Sequence, residues 1–568
     1  MKKMKFTGIL SALIIGAAAI GAASCQDMLN VESGSYVFAE DHRLDSANDS
    51  LYSAIGILSC MQSLGERYVL LGELRADLVS VPATAPVDMQ NISAFRPMAD
   101  PDALGLRRDY YTVINNCNVA LARMDTAITE RGTQIMMPEY AAIRTMRAWT
   151  MLQAALAYGS VNFITEPILD LESAEKTYPA IGVDELVGRL IADLEPYAVY
   201  NVPNYGSIDG LSSRQFFIRP ALLLGDLYLY NGNYSQAAAM YYYVINEESY
   251  NIEYTRGNLW ASSVRAEYTV NHINTYQTEL VAGIPYASDA KKYHPNLVNL
   301  TYNTTPSILP ASWFIDHMNT ASHFHVDQLG STNITGYFEG DLRGMLVDRE
   351  AEFIYSSYGY VPVGMAGNEY LITKYFANGE EYSSVTNPSN AMYEKGDPVV
   401  ITRTVATLRI PHIYLRYAEA VNRAGKPTLA FAVLKYGLRN EVLEDPEKVD
   451  PAELADNVEW TNFSDTRFAN NYGTAMRGRG LGIAVEDTDF VIPDFEDKDQ
   501  VIEWVEDAIL DEMAAETCFE GNRFFDLLRI SHHRSNHPAY MAEKISRRFD
   551  NPAEIESRLS DMNNFWIK

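Results

Sequence analysis

Cysteine is scarce in this chain and positive charge is outnumbered, and each shortage excludes a class of protein. Four cysteines, Cys25, Cys60, Cys117 and Cys518, are spread over 568 residues. None belongs to a CxxC pair or stands beside a histidine at ligand spacing, which argues against a disulfide framework and against a zinc site. Cys60, Cys117 and Cys518 fall in apolar helical patterns, where a thiol behaves as a small hydrophobe. Basic residues number 45 against 74 acidic ones, a formal charge of −29. Three of the basic residues, Lys2, Lys3 and Lys5, lie in a terminal stretch with no acid, so the remainder carries −32. That surplus repels phosphate backbones, and no nucleic-acid partner is expected.

Catalytic signatures are missing as well. The chain has no HExxH, no GxSxG, no P-loop and no dinucleotide fingerprint. The glycine-rich run Gly478 to Gly482 follows nothing strand-like and reads as a tight loop. His323, His325 and Asp327 lack a further defined ligand, and the acidic cluster Asp494, Glu496, Asp497 and Asp499 lacks the glycine of a calcium loop. No cofactor, metal or catalytic residue is therefore expected. A pair of glycosidase carboxylates cannot be recognised by spacing, because its two members come from distant parts of a chain.

The apolar stretch Ile9 to Ala23, interrupted by Gly16 and Gly21, is too short for a membrane-spanning helix. With three lysines before it and Ala22-Ala23-Ser24-Cys25 after it, residues 1–24 read as a processing signal. The cluster resembles a bacterial lipobox, with Ala22 where leucine is usual. Lipid on Cys25 would anchor the chain at a membrane without spanning it, and Asp27 resembles the acidic position that accompanies surface export in similar lipoproteins of the Bacteroides group.

The organising element is Arg219 to Ile245. Ala221, Leu224, Gly225 and Tyr228 share one helical face, Gly232 breaks the run, and Ala237, Met240, Tyr241 and Val244 repeat the spacing. Two helices joined by a tight turn follow, with Asn233 and Gln236 placed to cap the second. Leu-Gly-x-x-Tyr followed by Ala-x-x-x-Tyr looks like a tetratricopeptide repeat, and such a pair needs neighbours to bury its apolar face. The pattern returns at Leu408 to Asn440, with Gly425 in the place of Gly232. Helices are further expected over Ala47–Met61, Arg107–Ala127, Glu139–Tyr158, Val183–Leu194 and Val501–Ile530. Leu70–Val81 reads as apolar flanks around a polar centre, and Thr84–Pro101 as a loop. Between about Gly257 and Thr407 helical periodicity fades into short β-rich runs such as Leu371–Phe376. The expected fold is thus mainly α, a tetratricopeptide-like scaffold of helix pairs with a large irregular insert of loops and short strands, where binding surfaces tend to sit.

Three stretches together resemble the SusD/RagB-like nutrient-binding lipoproteins. They are Ala142 to Ile168 with its Arg-Ala, Tyr-Gly and Thr-Glu-Pro; Pro411 to Asn440 with Leu415-Arg416-Tyr417-Ala418-Glu419-Ala420; and Phe519 to Ile530. Glu73-Leu74-Arg75-Ala76-Asp77 is similar to an early element of that family, with Ala76 in a glycine's place. The resemblance divides the chain into a signal (1–24), an N-terminal SusD-like helical region (25–256) and a C-terminal RagB/SusD-like region (257–568). It implies a lipoprotein on the outer face of the outer membrane. Such a protein would act as lid to a SusC-like TonB-dependent β-barrel transporter and pass it oligosaccharide, or peptide in the RagB branch.

Sugar recognition needs flat apolar faces and planar polar groups. Arg75 and Asp77 are expected near the ligand-facing loops, with a structural ion pair as the alternative. Trp260, Tyr276, Tyr286, Tyr293, Trp313 and Tyr337 lie in the insert, where an aromatic platform is expected. Trp149, Glu520, Arg523 and Asp526 lie on helical signatures and are expected to pack or to form buried ion pairs. A peptide-binding lipoprotein of the same architecture, a surface glycosidase and an adhesion protein remain as rivals.

Overall fold

The computed structural model describes residues 47–568 except 101, 253–278, 290, 321–322, 327–335, 342, 345, 348–352, 355–356, 363–367, 378–401 and 475–489. The N-terminal half is a succession of helices. α1 (Ala47–Glu73) leads through β1 (Val79–Ser80) and α2 (Val87–Ser93) to α3 (Arg108–Arg123), α4 (Met137–Tyr158), α5 (Val183–Leu194), α6 (Pro220–Tyr230) and α7 (Tyr234–Glu248). From α3 to α7 each helix packs on the next. α4 is buried along nearly its whole length, which its run of alanines permits, and Gly159 (φ +78°) ends it in the left-handed conformation open to glycine.

The insert supplies β2 (Leu280–Pro285), β3 (Leu309–Pro310), α8 (Ser312–Thr320), β4 (His323–Val326), β5 (Gly336–Glu339), β6 (Tyr358–Pro362) and β7 (Asn368–Ile372). The chain then returns through β8 (Thr404–Arg409) to α9 (Ile410–Arg423) and α10 (Pro427–Lys435), and closes with α11 (Lys498–Thr517), α12 (Arg523–His532), α13 (Ala539–Ser546) and α14 (Pro552–Leu559). Strands pair two at a time and antiparallel: β1 with β3, β2 with β8, β4 with β5 and β6 with β7. The mainly α scaffold with a short-stranded insert is therefore the observed fold. Among the described residues no helix is long and apolar enough to cross a membrane.

The two helix pairs share their turn: Gly232 (φ +73°) joins α6 to α7 and Gly425 (φ +85°) joins α9 to α10, both in the left-handed region. Gly225 serves closeness instead, since a Cβ there would lie 2.7 Å from the Tyr241 ring. α9 docks directly on α7, so the pairs form one continuous stack across the insert. That contact buries what neither pair could bury alone.

Several local expectations need correction. Asn233 makes no side-chain cap; its backbone N–H donates to the Tyr228 carbonyl at 2.9 Å. α1 continues to Glu73 rather than breaking after Met61, because Leu64, Tyr68 and Leu71 prolong its buried stripe. The Thr84–Pro101 loop contains α2, entered through Pro86 and held by buried Met89 and Ile92. The expected Val501–Ile530 helix is two helices, parted where Phe519 and Gly521 take positive φ. Leu371–Phe376 is the end of β7 followed by a helical turn.

Charged side chains in the interior are mostly paired, as the cost of burying an ion demands. Arg409 binds Glu520 through Nε and Nη2 at 2.9 and 2.7 Å. Arg416 reaches Asp226 on α6 at 2.8 Å, and Arg529 grips Glu419 at 2.9 and 2.6 Å. Glu520, Arg523 and Asp526 are thus buried pairing groups, and Trp149 is a packed core residue. Cys117 and Cys518 are buried and Cys60 half-buried.

Candidate functional site

A cleft of about 600 Å³ opens where four distant parts of the chain meet. β1 and the end of α2 bring Ser80, Val81 and Ser93; β3 and α8 bring Leu309, Pro310, Ser312 and Ile315; β7 brings Glu369 and Tyr370; and the α13–α14 connection brings Arg548, Phe549 and Asp550. β1 is tied to β3 in register, Val79 opposite Pro310 and Ser80 opposite Leu309, and the Ala311 N–H donates to the Leu78 carbonyl at 2.8 Å.

The Arg548 guanidinium ties two of these parts together. Nη1 donates to the Val79 carbonyl at 2.7 Å and to Ser93 Oγ at 2.9 Å, while Nη2 donates to the carbonyls of Leu74 and Ser93, each at 2.8 Å. Burial pushes its pKa down to about 9, against a smaller upward pull from Asp77, so it stays charged at neutral pH. Phe549 lies under it, ring centroid 4.4 Å from Arg548 Cζ. On the opposite side β6 sets β7 in place, with Tyr360 opposite Tyr370 and Val361 opposite Glu369. The Tyr370 ring meets Tyr358 edge to face at 6.1 Å.

Glu369 and Asp550 are solvent-exposed at the cleft, and Tyr370 and Phe549 are half-buried. Two carboxylates that accept hydrogen bonds, serine hydroxyls that give or accept them, and two aromatic rings form the chemistry of a polyhydroxylated ligand site. The volume falls within the range of small-molecule sites.

The residues expected from sequence are placed differently. Asp77 is fully buried: Arg523 Nε and Nη2 donate to its two oxygens at 2.7 and 2.9 Å, and Arg547 binds Oδ2 from the other side. Burial raises its carboxyl, but Arg523 and Arg547 outweigh that and hold it well below the usual carboxylate range. Arg75, 1% exposed, donates to the carbonyls of Leu71, Leu156 and Phe565 and does not pair with Asp77. Both therefore lie in the scaffold rather than on ligand-facing loops, because the Glu73–Asp77 element ends α1 inside the core.

Trp313 is half-buried; its indole N–H donates to the Asp77 carbonyl and its face is covered by Arg547, Cζ 3.4 Å from the ring centroid. It is the chain neighbour of the cleft residue Ser312 but does not itself line the cleft. Tyr286 is 2% exposed with its hydroxyl donating to the Gln62 carbonyl at 2.8 Å. A buried ring offers no platform. Tyr293 is exposed, its ring 6.1 Å from that of Tyr286, but it does not line the cleft. Tyr337 lies on β5 opposite His325. Trp260, Tyr276 and Cys25 lie outside the described residues, as does the Gly478–Gly482 run. Asp497 caps α11 by accepting from the Asp499 N–H at 3.0 Å, and among the described residues no group of three metal-ligating side chains occurs. Glu369, Tyr370, Arg548, Phe549 and Asp550 escaped the sequence reading. The Arg547-Arg548-Phe549-Asp550 run between two short helices is a signal for the last three; none pointed to Glu369 and Tyr370.

Residues 486–568 match the model of the SusD family. No curated protein matches the chain. Among solved structures, a SusD homolog from Bacteroides thetaiotaomicron superposes with a TM-score of 0.54 at 14% identity, covering 91% of this chain and 92% of its own. A SusD superfamily protein of the same organism gives 0.52 at 16% identity over 89% and 94%. A putative sugar-binding protein from Bacteroides vulgatus gives 0.50 at 15% identity over 86% and 87%. At such identities the likeness establishes the fold.

Proposed function

We propose that this chain, SusD/RagB-like in its fold and in its C-terminal segment, is a non-enzymatic lipoprotein that captures oligosaccharide at the cell surface. It would hand the glycan to a SusC-like TonB-dependent barrel in the outer membrane. The observation that carries the reading is the cleft at Glu369, Tyr370, Phe549 and Asp550, which combines ring faces with hydroxyl-binding carboxylates. The Bacteroides vulgatus relative described as sugar-binding supports the same ligand class.

The cation of the cleft is spent on structure. Arg548 already donates to four oxygens of the protein, so it shapes the cleft more than it attacks or activates a ligand. Calorimetric titration of the chain with a panel of oligosaccharides and of peptides tests the proposal. Saturable heats with oligosaccharide are expected, without release of shorter products. Binding of peptides alone, or turnover lost on replacing one carboxylate, rejects it.

A further inference from the structure

Arg75 differs from most guanidinium groups of the core. Arg409, Arg416, Arg523 and Arg529 each end on a carboxylate. Arg75 Nε donates to the Leu71 carbonyl at 3.0 Å, and Nη1 donates to those of Leu156 and Phe565 at 3.2 and 3.1 Å. The Phe524 ring lies 3.9 Å from Cζ. Nη2, equally buried, has no hydrogen-bond partner among the described residues. Burial draws the pKa of Arg75 down to about 9, and the groups that pull it back are the hydroxyls of Tyr110, Tyr158 and Tyr230. At neutral pH the group remains a cation without an opposite charge beside it among the described residues, an arrangement that is unfavourable in a buried setting.

That cation lines a cavity of about 70 Å³, separate from the sugar cleft. Its walls include Ile92, Phe95 and Trp566, and Lys568 and Arg96, the latter paired with Glu554 at 3.1 Å, stand among its lining residues. The space is several times the roughly 10–15 Å³ that one water needs. A planar two-oxygen group matches the flat fork of a guanidinium, and an apolar lining favours a hydrocarbon tail over a hydrated ion.

We propose that this cavity binds a short-chain carboxylate, its acid group drawn to Arg75 and its tail against Ile92, Phe95 and Trp566. The site does not depend on what occupies the cleft. Thermal unfolding of the full chain in sodium propionate, sodium chloride and sodium sulfate at equal ionic strength tests it. Propionate should raise the Tm saturably above the values in the other two salts, because a ligand that binds only the folded state stabilises it. Ile92→Phe, which adds a ring to the cavity and leaves Arg75 in place, should lose that rise. In a direct measurement, the carboxyl line of ¹³C-propionate should broaden with the wild-type protein and sharpen again with excess unlabelled propionate. An equal rise in chloride, a propionate rise that persists in a folded Ile92→Phe protein, or an unbroadened line overturns the proposal.

Discussion

Asp77 and Arg523, 446 positions apart in sequence, form a two-point ion pair at 2.7 and 2.9 Å in a fully buried setting, and Arg547 closes on the same carboxylate. The pair fastens the end of α1 to the start of α12. Arg547 in turn covers Trp313 beside the cleft, so one carboxylate ties the helical scaffold to the site.

Asp77→Asn removes the charge and leaves buried Arg523 uncompensated, for a loss of about 3–5 kcal/mol, read by urea unfolding. The acid response has a definite sign. The folded carboxyl is held below its unfolded value of about 3.9, so its contribution is full above that pH and is lost as pH falls toward the folded pKa. The variant should therefore lose part of the wild-type stability decline below about pH 4. An acid-unfolding profile parallel to that of the wild type would count against the clamp.

Glu73, four residues earlier, behaves in the opposite direction. Oε1 accepts from the Gly521 N–H at 2.8 Å, while the buried Oε2 has no hydrogen-bond partner among the described residues. Burial pushes its pKa up to about 8, with Gly521, Arg523 and Lys374 pulling back less. Between the unfolded value of about 4.3 and the folded one, the folded state holds a proton that the unfolded chain has lost, so stability falls as pH rises through that window. Glu73→Gln should be flat there and gain at least about 1 kcal/mol on the wild type between pH 5 and pH 9. Unfolding free energies at the two pH values decide it.

Much of the scaffold was legible in sequence because its causes are local. The periodicity of Ala221 to Val244, the breaks at Gly232 and Gly425 and the alanines of α4 each act within a few residues. The site was not legible, because the cleft gathers Ser80, Ser312, Tyr370 and Asp550 from segments up to 470 positions apart. Arg75 and Asp77 misled for a related reason. The resemblance of their element to an early element of the SusD/RagB-like family set them near the ligand-facing loops, whereas the end of α1 turns their side chains to different partners within the core. Tyr286 shows the same limit: an aromatic residue in an irregular segment packs inward when Gly65 leaves room for its hydroxyl against α1.

On the proposed reading, attachment at the membrane turns on Cys25, the residue that the lipobox resemblance would have modified. Cys25→Ala should move the protein from the membrane fraction to the soluble fraction in cell fractionation, since without acyl chains there is no anchor. Retention of the variant in washed membranes would refute the lipid assignment, whatever the ligand of the cleft.

The cleft itself makes the sharpest demand. A pyranose stacks through its C–H face, so the Tyr370 ring, rather than its hydroxyl, should carry affinity. Tyr370→Phe is expected to bind oligosaccharide nearly as the wild type does, and Tyr370→Ala to lose about 1–2 kcal/mol, roughly five- to thirty-fold in Kd. Asp550→Asn exchanges an acceptor-only carboxylate for an amide that must orient one donor and one acceptor, and it should weaken binding at unchanged Tm because the residue is exposed. Calorimetry on the three variants separates the contributions. Equal affinity in Tyr370→Ala and wild type would remove the ring from the binding surface and leave the carboxylates without their stacking partner.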